Sequence, residues 1–334
     1  MLGTKLVIDP LSSRTFCRGG IGLNAEGKAM PKPRWVRAGT VYLVTRRCAN
    51  RNCFFAPDAK GDVAEMFGYC LALVAERYGV EVHGAIALSN HWHAVITDVN
   101  GRLGEFLRDM HALTAGCANA RLGRCENVWA VRQASAVNLA DRGAVWAKLV
   151  YCLGNAVSSG LVAHHTAWPG FHTLPGSLVA SPRVYRRPRY FFGPNTPNPE
   201  EARLVITKPA VFAHLTDAAY VAELKRRLAA MESEERRGAK KLKRPFLGVA
   251  AILAQDPHSR PPDLSIEPRG GVNPTVAAED KTVRFAELAL LADFRRAYAA
   301  ALALWRQGVR DVLFPSGTYQ LVLMHRVCVH PAPT

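Results

Sequence analysis

The chain has 334 residues, 49% hydrophobic and 21% charged, which excludes a disordered polyelectrolyte and suggests about two domains. Lysine and arginine (43) exceed aspartate and glutamate (27), leaving a formal charge of +16 that favours a polyanionic partner, nucleic acid first. No uninterrupted apolar run reaches the roughly 18 residues of a membrane span, and the first residues lack the apolar stretch of a secretory signal.

Residues 1–33, rich in Gly, Ser and Pro, read as an irregular arm. A strand is expected through Val41–Thr45, then a helix over 62–78 with Val63, Met66, Phe67, Cys70, Leu71 and Val74 at helical spacing. Strands over 80–88 and 91–97, separated by Ser89-Asn90, read as a hairpin. A second helix fits 103–122, a charge-interrupted strand falls within 128–137, and a third helix fits 141–157 with Asp141 as its N-cap and Gly160 past its end. Helices interleaved with antiparallel strands predict an α+β sandwich of the split-βαβ kind for residues 34–180. A basic, proline-rich linker (181–199) and a mostly helical extension (200–334) follow, with helices over 217–235 and 283–307 and a strand over 319–329.

The eight cysteines, Cys17, Cys48, Cys53, Cys70, Cys117, Cys125, Cys152 and Cys328, contain no C-x-x-C pair. Neither a disulfide scaffold nor a structural zinc site is supported, and reduced thiols in a cytoplasmic, nucleoid-associated protein are expected.

Two pairs of residues carry chemistry. His91 and His93 are two apart on a strand, so both imidazoles project from one face and suit a divalent cation, with Trp92 anchored in the opposite face. Read alone, an H-x-H is more often two ordinary polar positions. Tyr151 and Asn155 are four apart on the third helix and share a face, an amide oxygen beside a phenol. Read alone, they are more often a core aromatic and a residue near a frayed helix end.

Together the pairs form a pattern. Leu88-Ser89-Asn90-His91-Trp92-His93-Ala94-Val95 resembles the PNHxH segment of REP-associated tyrosine transposases. Tyr151-Cys152-Leu153-Gly154-Asn155-Ala156-Val157, with Gly160-Leu161-Val162 after it, resembles their YIxxNPVxxGLV segment, and Trp168-Pro169 falls where they carry WP. Ser89 and Ala156 stand where the family has proline, and neither change removes a reacting group. The resemblance spans residues 35–180 and implies the HUH endonuclease fold, a ferredoxin-like antiparallel sheet with packed helices. It implies Mg²⁺ or Mn²⁺ held by His91, His93 and Asn155, Tyr151 as nucleophile through a covalent 5′-phosphotyrosine, and single-stranded, hairpin-containing REP-like DNA as substrate. Monomer and homodimer both stay open, and no membrane partner is expected.

Arg183, Arg186, Arg187 and Arg189, interleaved with Tyr185 and Tyr190, suit phosphates and stacked bases, or equally a solvated linker. Arg236, Arg237, Lys240, Lys241, Lys243 and Arg244, with Glu232, Glu234 and Glu235 just upstream, read first as a charged helix face and second as a DNA contact. His164, His165 and His172 read as exposed loop residues, and His83 has no partner pattern. Two further readings compete with the strand transferase: a domesticated DNA-hairpin binder that cuts little or not at all, and a metal-dependent RNA phosphodiesterase, which would have no use for Tyr151.

Overall fold

Three apolar runs make the centre of the sheet: β1 (Thr40–Arg47), β2 (Val80–Leu88) and β3 (His91–Asp98), with β3 antiparallel to both neighbours. The computed structural model describes residues 33–131, 133–260 and 274–331, and every element belongs to the unit that begins at Trp35. Between β1 and β2 lies α1 (Asp62–Tyr78), whose predicted apolar stripe, Val63 to Val74, is wholly buried. Its first turn is held by Asp58, whose carboxylate accepts from the N–H groups of Asp62 and Val63 at 3.1 and 2.9 Å. It ends on Gly79, at φ +64°, a left-handed position that favours glycine.

The chain continues through α2 (Leu103–Leu122) and β4 (Ser135–Leu139), which pairs antiparallel with β1. Asp98, the last residue of β3, accepts from the N–H groups of Arg102 and Leu103, so the end of the strand caps the helix. The order β1-α1-β2-β3-α2-β4, with strands arranged β2-β3-β1-β4, is a split βαβ unit within an α+β fold. The fourth strand lies later than the expected 128–137. Trp129 makes only an isolated bridge to Cys48, and Arg46 is spent on the Ala130 carbonyl there.

The expected helix over 141–157 is two pieces, α3 (Arg142–Leu153) and α4 (Asn155–Ser158), broken at Gly154. Asp141 caps α3 as expected, accepting from Ala144 N–H at 2.7 Å. Beyond α4 come β5 (Arg183–Arg186) and β6 (Glu201–Leu204), then α5 (Asp217–Lys241) and α6 (Val249–Leu253). They are followed by β7 (Val276–Ala277), α7 (Lys281–Arg306) and α8 (Gln320–His325).

Of the later elements, β7 joins the sheet, while β5 and β6 form a separate two-stranded ribbon. Residues 181–199, expected as a linker, contain β5, which pairs antiparallel with β6; the ribbon lies on α1, and Tyr185 takes the space that a Cβ on Gly68 would need. Residues 200–334, expected as an extension, supply β7, which adds parallel to β4 and makes the five-stranded sheet mixed rather than wholly antiparallel. The expected strand over 319–329 is instead α8. Val329 makes an isolated bridge to Phe314, and the helical turn brings Leu321 and Val322 onto the cluster with Tyr298 and Trp305 of α7.

Two apolar layers flank the sheet. One packs α1 and α2 against Trp92, Ala94 and Ile96; the other packs α3 and α5 against Val95, Leu43 and Ile86. The arm over 1–33 lies outside the described residues except for its last position. Among the described residues no helix is long and apolar enough to cross a membrane.

Candidate active site

β3 alternates as its sequence dictates. Trp92 is fully buried in the α1/α2 layer, against Phe67 and with its indole N–H on His111, so His91 and His93 project towards α3. Their rings are 4.9 Å apart, centroid to centroid. Thr45 of β1 sits directly across the register from His93, and its hydroxyl is 2.7 Å from His93 Nδ1. The side-chain oxygen of Asn90 is 2.7 Å from His91 Nδ1, while its amide donates to the Arg51 carbonyl at 3.3 Å. Each imidazole is therefore held by Nδ1, which leaves Nε2 to face the site.

Gly154 determines what meets them. A Cβ there would meet the Met231 terminal methyl of α5 and crowd the Val150 carbonyl, so any larger residue requires the Met231 side chain to move. The break leaves Tyr151 on the last turn of α3, 43% exposed, while Asn155 opens α4 only 4% exposed. Asn155 Oδ1 lies 3.2 Å from His91 Nε2, and the Tyr151 ring lies edge-on to His93 with centroids 5.1 Å apart. Lys148, one turn before Tyr151, places its ammonium 5.4 Å from the phenol ring. The four residues selected from the sequence, His91, His93, Tyr151 and Asn155, thus stand together although three elements supply them.

Burial pushes the His91 imidazole down to about 4, with Arg47 and Arg51 acting in the same direction and the Asn155 bond opposing them. His93 is held well below its ordinary value, by burial first and then by His91, Arg47 and Lys148. Both rings are neutral at physiological pH, the form that ligates metals.

The site fits a divalent cation on three observations. His93 Nε2 is buried and has no hydrogen-bond partner. His91 Nδ1 and Nε2 each face an amide oxygen, at 2.7 and 3.2 Å, yet a neutral imidazole carries one ring proton, so one of the two contacts sets a lone pair against an acceptor. Two imidazole nitrogens and an amide oxygen form a donor set suited to Mg²⁺ or Mn²⁺ holding a phosphate. Among the described residues no group of three or more His, Cys, Asp or Glu side chains could hold a metal, so the amide is integral to this set.

The arginine-rich segment behaves unevenly. Arg186 and Arg189 are exposed. Arg183 lies over the Tyr185 ring, 4.9 Å from its centroid. Arg187 is turned inward, donating to the Asn198 carbonyl and paired with Glu200 at 3.7 Å. Tyr190 is exposed, but Tyr185 is buried against Gly68 and Phe171 and offers no face for a base to stack on. The loop histidines are also not idle: His165 Nδ1 and N–H both bond to the buried Glu232 of α5, at 2.6 and 2.7 Å. Sequence reasoning missed Thr45 and Asn90, which orient the two imidazoles. Thr45 becomes visible only once the β1–β3 register is known.

No family model and no curated protein matches this chain. Among solved structures it is similar to a REP-associated tyrosine transposase bound to a REP hairpin, with 17% identity over 53% of this chain and 99% of that one, at a TM-score of 0.37.

Proposed function

We propose that this chain is a Mg²⁺- or Mn²⁺-dependent single-stranded DNA endonuclease and strand transferase of the HUH kind, acting on hairpin-containing, REP-like DNA through Tyr151. The observation that carries the reading is the convergence itself: an accessible phenol lies against His93 while Asn155 Oδ1 faces His91 Nε2. The motif resemblance supports it, as does the charge of +16, which suits a phosphodiester partner.

A cation held by His91, His93 and Asn155 would withdraw charge from the scissile phosphate as the transition state forms. The protein's own groups do the rest. Tyr151 attacks phosphorus through its phenolic oxygen and gives up its proton; a Tyr–O–P bond forms as the P–O3′ bond breaks, and the departing 3′ oxygen takes up a proton. The phosphodiester is exchanged rather than hydrolysed, so a 3′-hydroxyl can attack the phosphotyrosine and rejoin strands without ATP. Lys148, next to the phenol, is placed to balance the negative charge that gathers there. Asn90 and Thr45 keep both Nε2 atoms aimed inward.

Incubation with a hairpin oligonucleotide carrying a single-stranded flank, plus Mn²⁺, is expected to give a protein–DNA adduct stable to denaturing electrophoresis. Tyr151→Phe is expected to abolish the adduct and to leave hairpin affinity unchanged. An adduct formed at full yield by Tyr151→Phe removes Tyr151 as nucleophile. Hairpin binding without any adduct from the parent protein would leave the binder reading instead.

A further inference from the structure

α5 changes character along its length. Its first half buries Tyr220, Val221, Leu224 and Leu228 against Trp146 of α3 and Phe212. The last buried residue is Glu232; Glu234 and Glu235 follow it, and then Arg236, Arg237, Lys240, Lys241, Lys243 and Arg244 with no further acid as far as Arg244. Arg236 is occupied, donating to the Ala163 carbonyl at 3.0 Å and pairing with Glu232 at 3.5 Å. The other five are exposed and, among the described residues, form no ion pair.

A structural account covers only part of this pattern. Cations in the last turn of a helix interact favourably with its dipole, which rationalises Lys240 and Lys241. It does not reach Lys243 and Arg244, which lie past the helix end, and like charges three and four apart, as in Arg237 with Lys240 and Lys241, oppose helix formation. The placement gives the ridge another meaning. Leu247 N–H donates to the Gly160 carbonyl at 3.0 Å and Gly248 N–H to the Leu161 carbonyl at 2.9 Å, so the segment after α5 is tied to the turn that leaves α4. Met231 covers Gly154, between Tyr151 and Asn155. At the helical rise of 1.5 Å per residue, Lys240 lies about 14 Å further along the α5 axis, a few nucleotides of extended chain from the phenol.

We propose that Arg237, Lys240, Lys241, Lys243 and Arg244 form an interface for the phosphodiester backbone of the substrate DNA, a few nucleotides from the scissile phosphate. The inference rests on the strand-transferase reading for the identity of the substrate, yet it uses none of the reacting groups. Such a ridge contributes affinity and its salt dependence and carries little sequence information.

The experiment uses full-length protein carrying Tyr151→Phe, a fluorescent hairpin with a single-stranded flank, and titrations at several salt concentrations. Replacing all five cations by glutamine is expected to weaken binding and to flatten the slope of log K against log salt by about 0.7–0.9 per phosphate contact removed. K243Q with R244Q, beyond the helix end, is expected to produce part of the same change without affecting α5. R226Q with R227Q, whose charges already pair with Glu223 on the same helix, is expected to leave the slope unaltered. Affinity and slope equal to the parent's in both ridge variants overturn the proposal. A parent that binds no DNA overturns the functional reading itself and the proposal with it.

Discussion

His93 shows how much of this site rests on single atoms. Its Nε2 is a buried nitrogen without a partner, kept in that state because Thr45 holds Nδ1 from the neighbouring strand. Thr45→Val preserves shape and strand propensity and removes only that bond. Metal affinity is expected to fall roughly ten- to a hundredfold, since a ligand's outer partner fixes both its tautomer and its direction. Mn²⁺ titration followed by calorimetry reads this directly, and unchanged affinity would mean that the ring is aimed by packing alone. The four candidate residues were legible through the order of their two motifs; alternation on a strand puts His91 and His93 on one face, whereas Tyr151 and Asn155 come to the site from two separate helices. Thr45 was not, because cross-strand register is a tertiary fact. Tyr185 misled for a related reason: an aromatic among arginines suits stacking in a linear reading, and only the fold shows Gly68 receiving it.

At the level of elements, the decisive feature is the break between α3 and α4. Apolar periodicity runs through 141–157 and predicts one helix with Tyr151 and Asn155 stacked on it. In the fold the chain restarts at Asn155, so the phenol stays accessible while the amide turns inward. The local hint was Gly154, and what packs against it is Met231, far along the sequence. Gly154→Ala is expected to cost about 1–3 kcal/mol, as overpacking does in a filled core, and to reduce adduct yield with DNA affinity retained. Adding Met231→Ala should recover part of both losses, because the two side chains compete for one space. Chemical denaturation and adduct assays on the single and double variants test this, and strict additivity would argue against a shared clash. The misread strand over 319–329 makes the converse point: β-branched and apolar residues suit either state, and packing of Leu321 and Val322 on α7 accompanies the helical turn of α8.

Across the molecule as a whole, the described segments after residue 180 supply one strand of the sheet that carries the site and cover its helices. β7 extends the sheet beyond β4, α5 covers α3, and β5 with β6 covers α1. None of these placements was visible in a sequence whose proline-rich stretch suggested a boundary, because parallel pairing and helix docking leave no local signature. His83 binds this arrangement at one point. Buried on β2, it sits 2.7 Å from the Thr97 hydroxyl of β3 through Nε2 and 2.9 Å from the Thr207 carbonyl, beyond β6, through Nδ1. Burial lowers this imidazole from 6.5 to about 4. A lowered histidine stays neutral in the folded state while the unfolded chain takes up a proton below about 6.5, so stability is fully present above that pH and declines as pH falls towards 4. The shift corresponds to about 3 kcal/mol across the window. His83→Gln is therefore expected to be less stable than the parent at pH 7, where two buried hydrogen bonds are disturbed, and to close that gap steadily between pH 6.5 and 4. Urea denaturation of both proteins at intervals of pH measures the gap. If it stayed constant throughout, His83 would be a packing residue with no proton linkage, and the loop at Thr207 would be held by its other contacts.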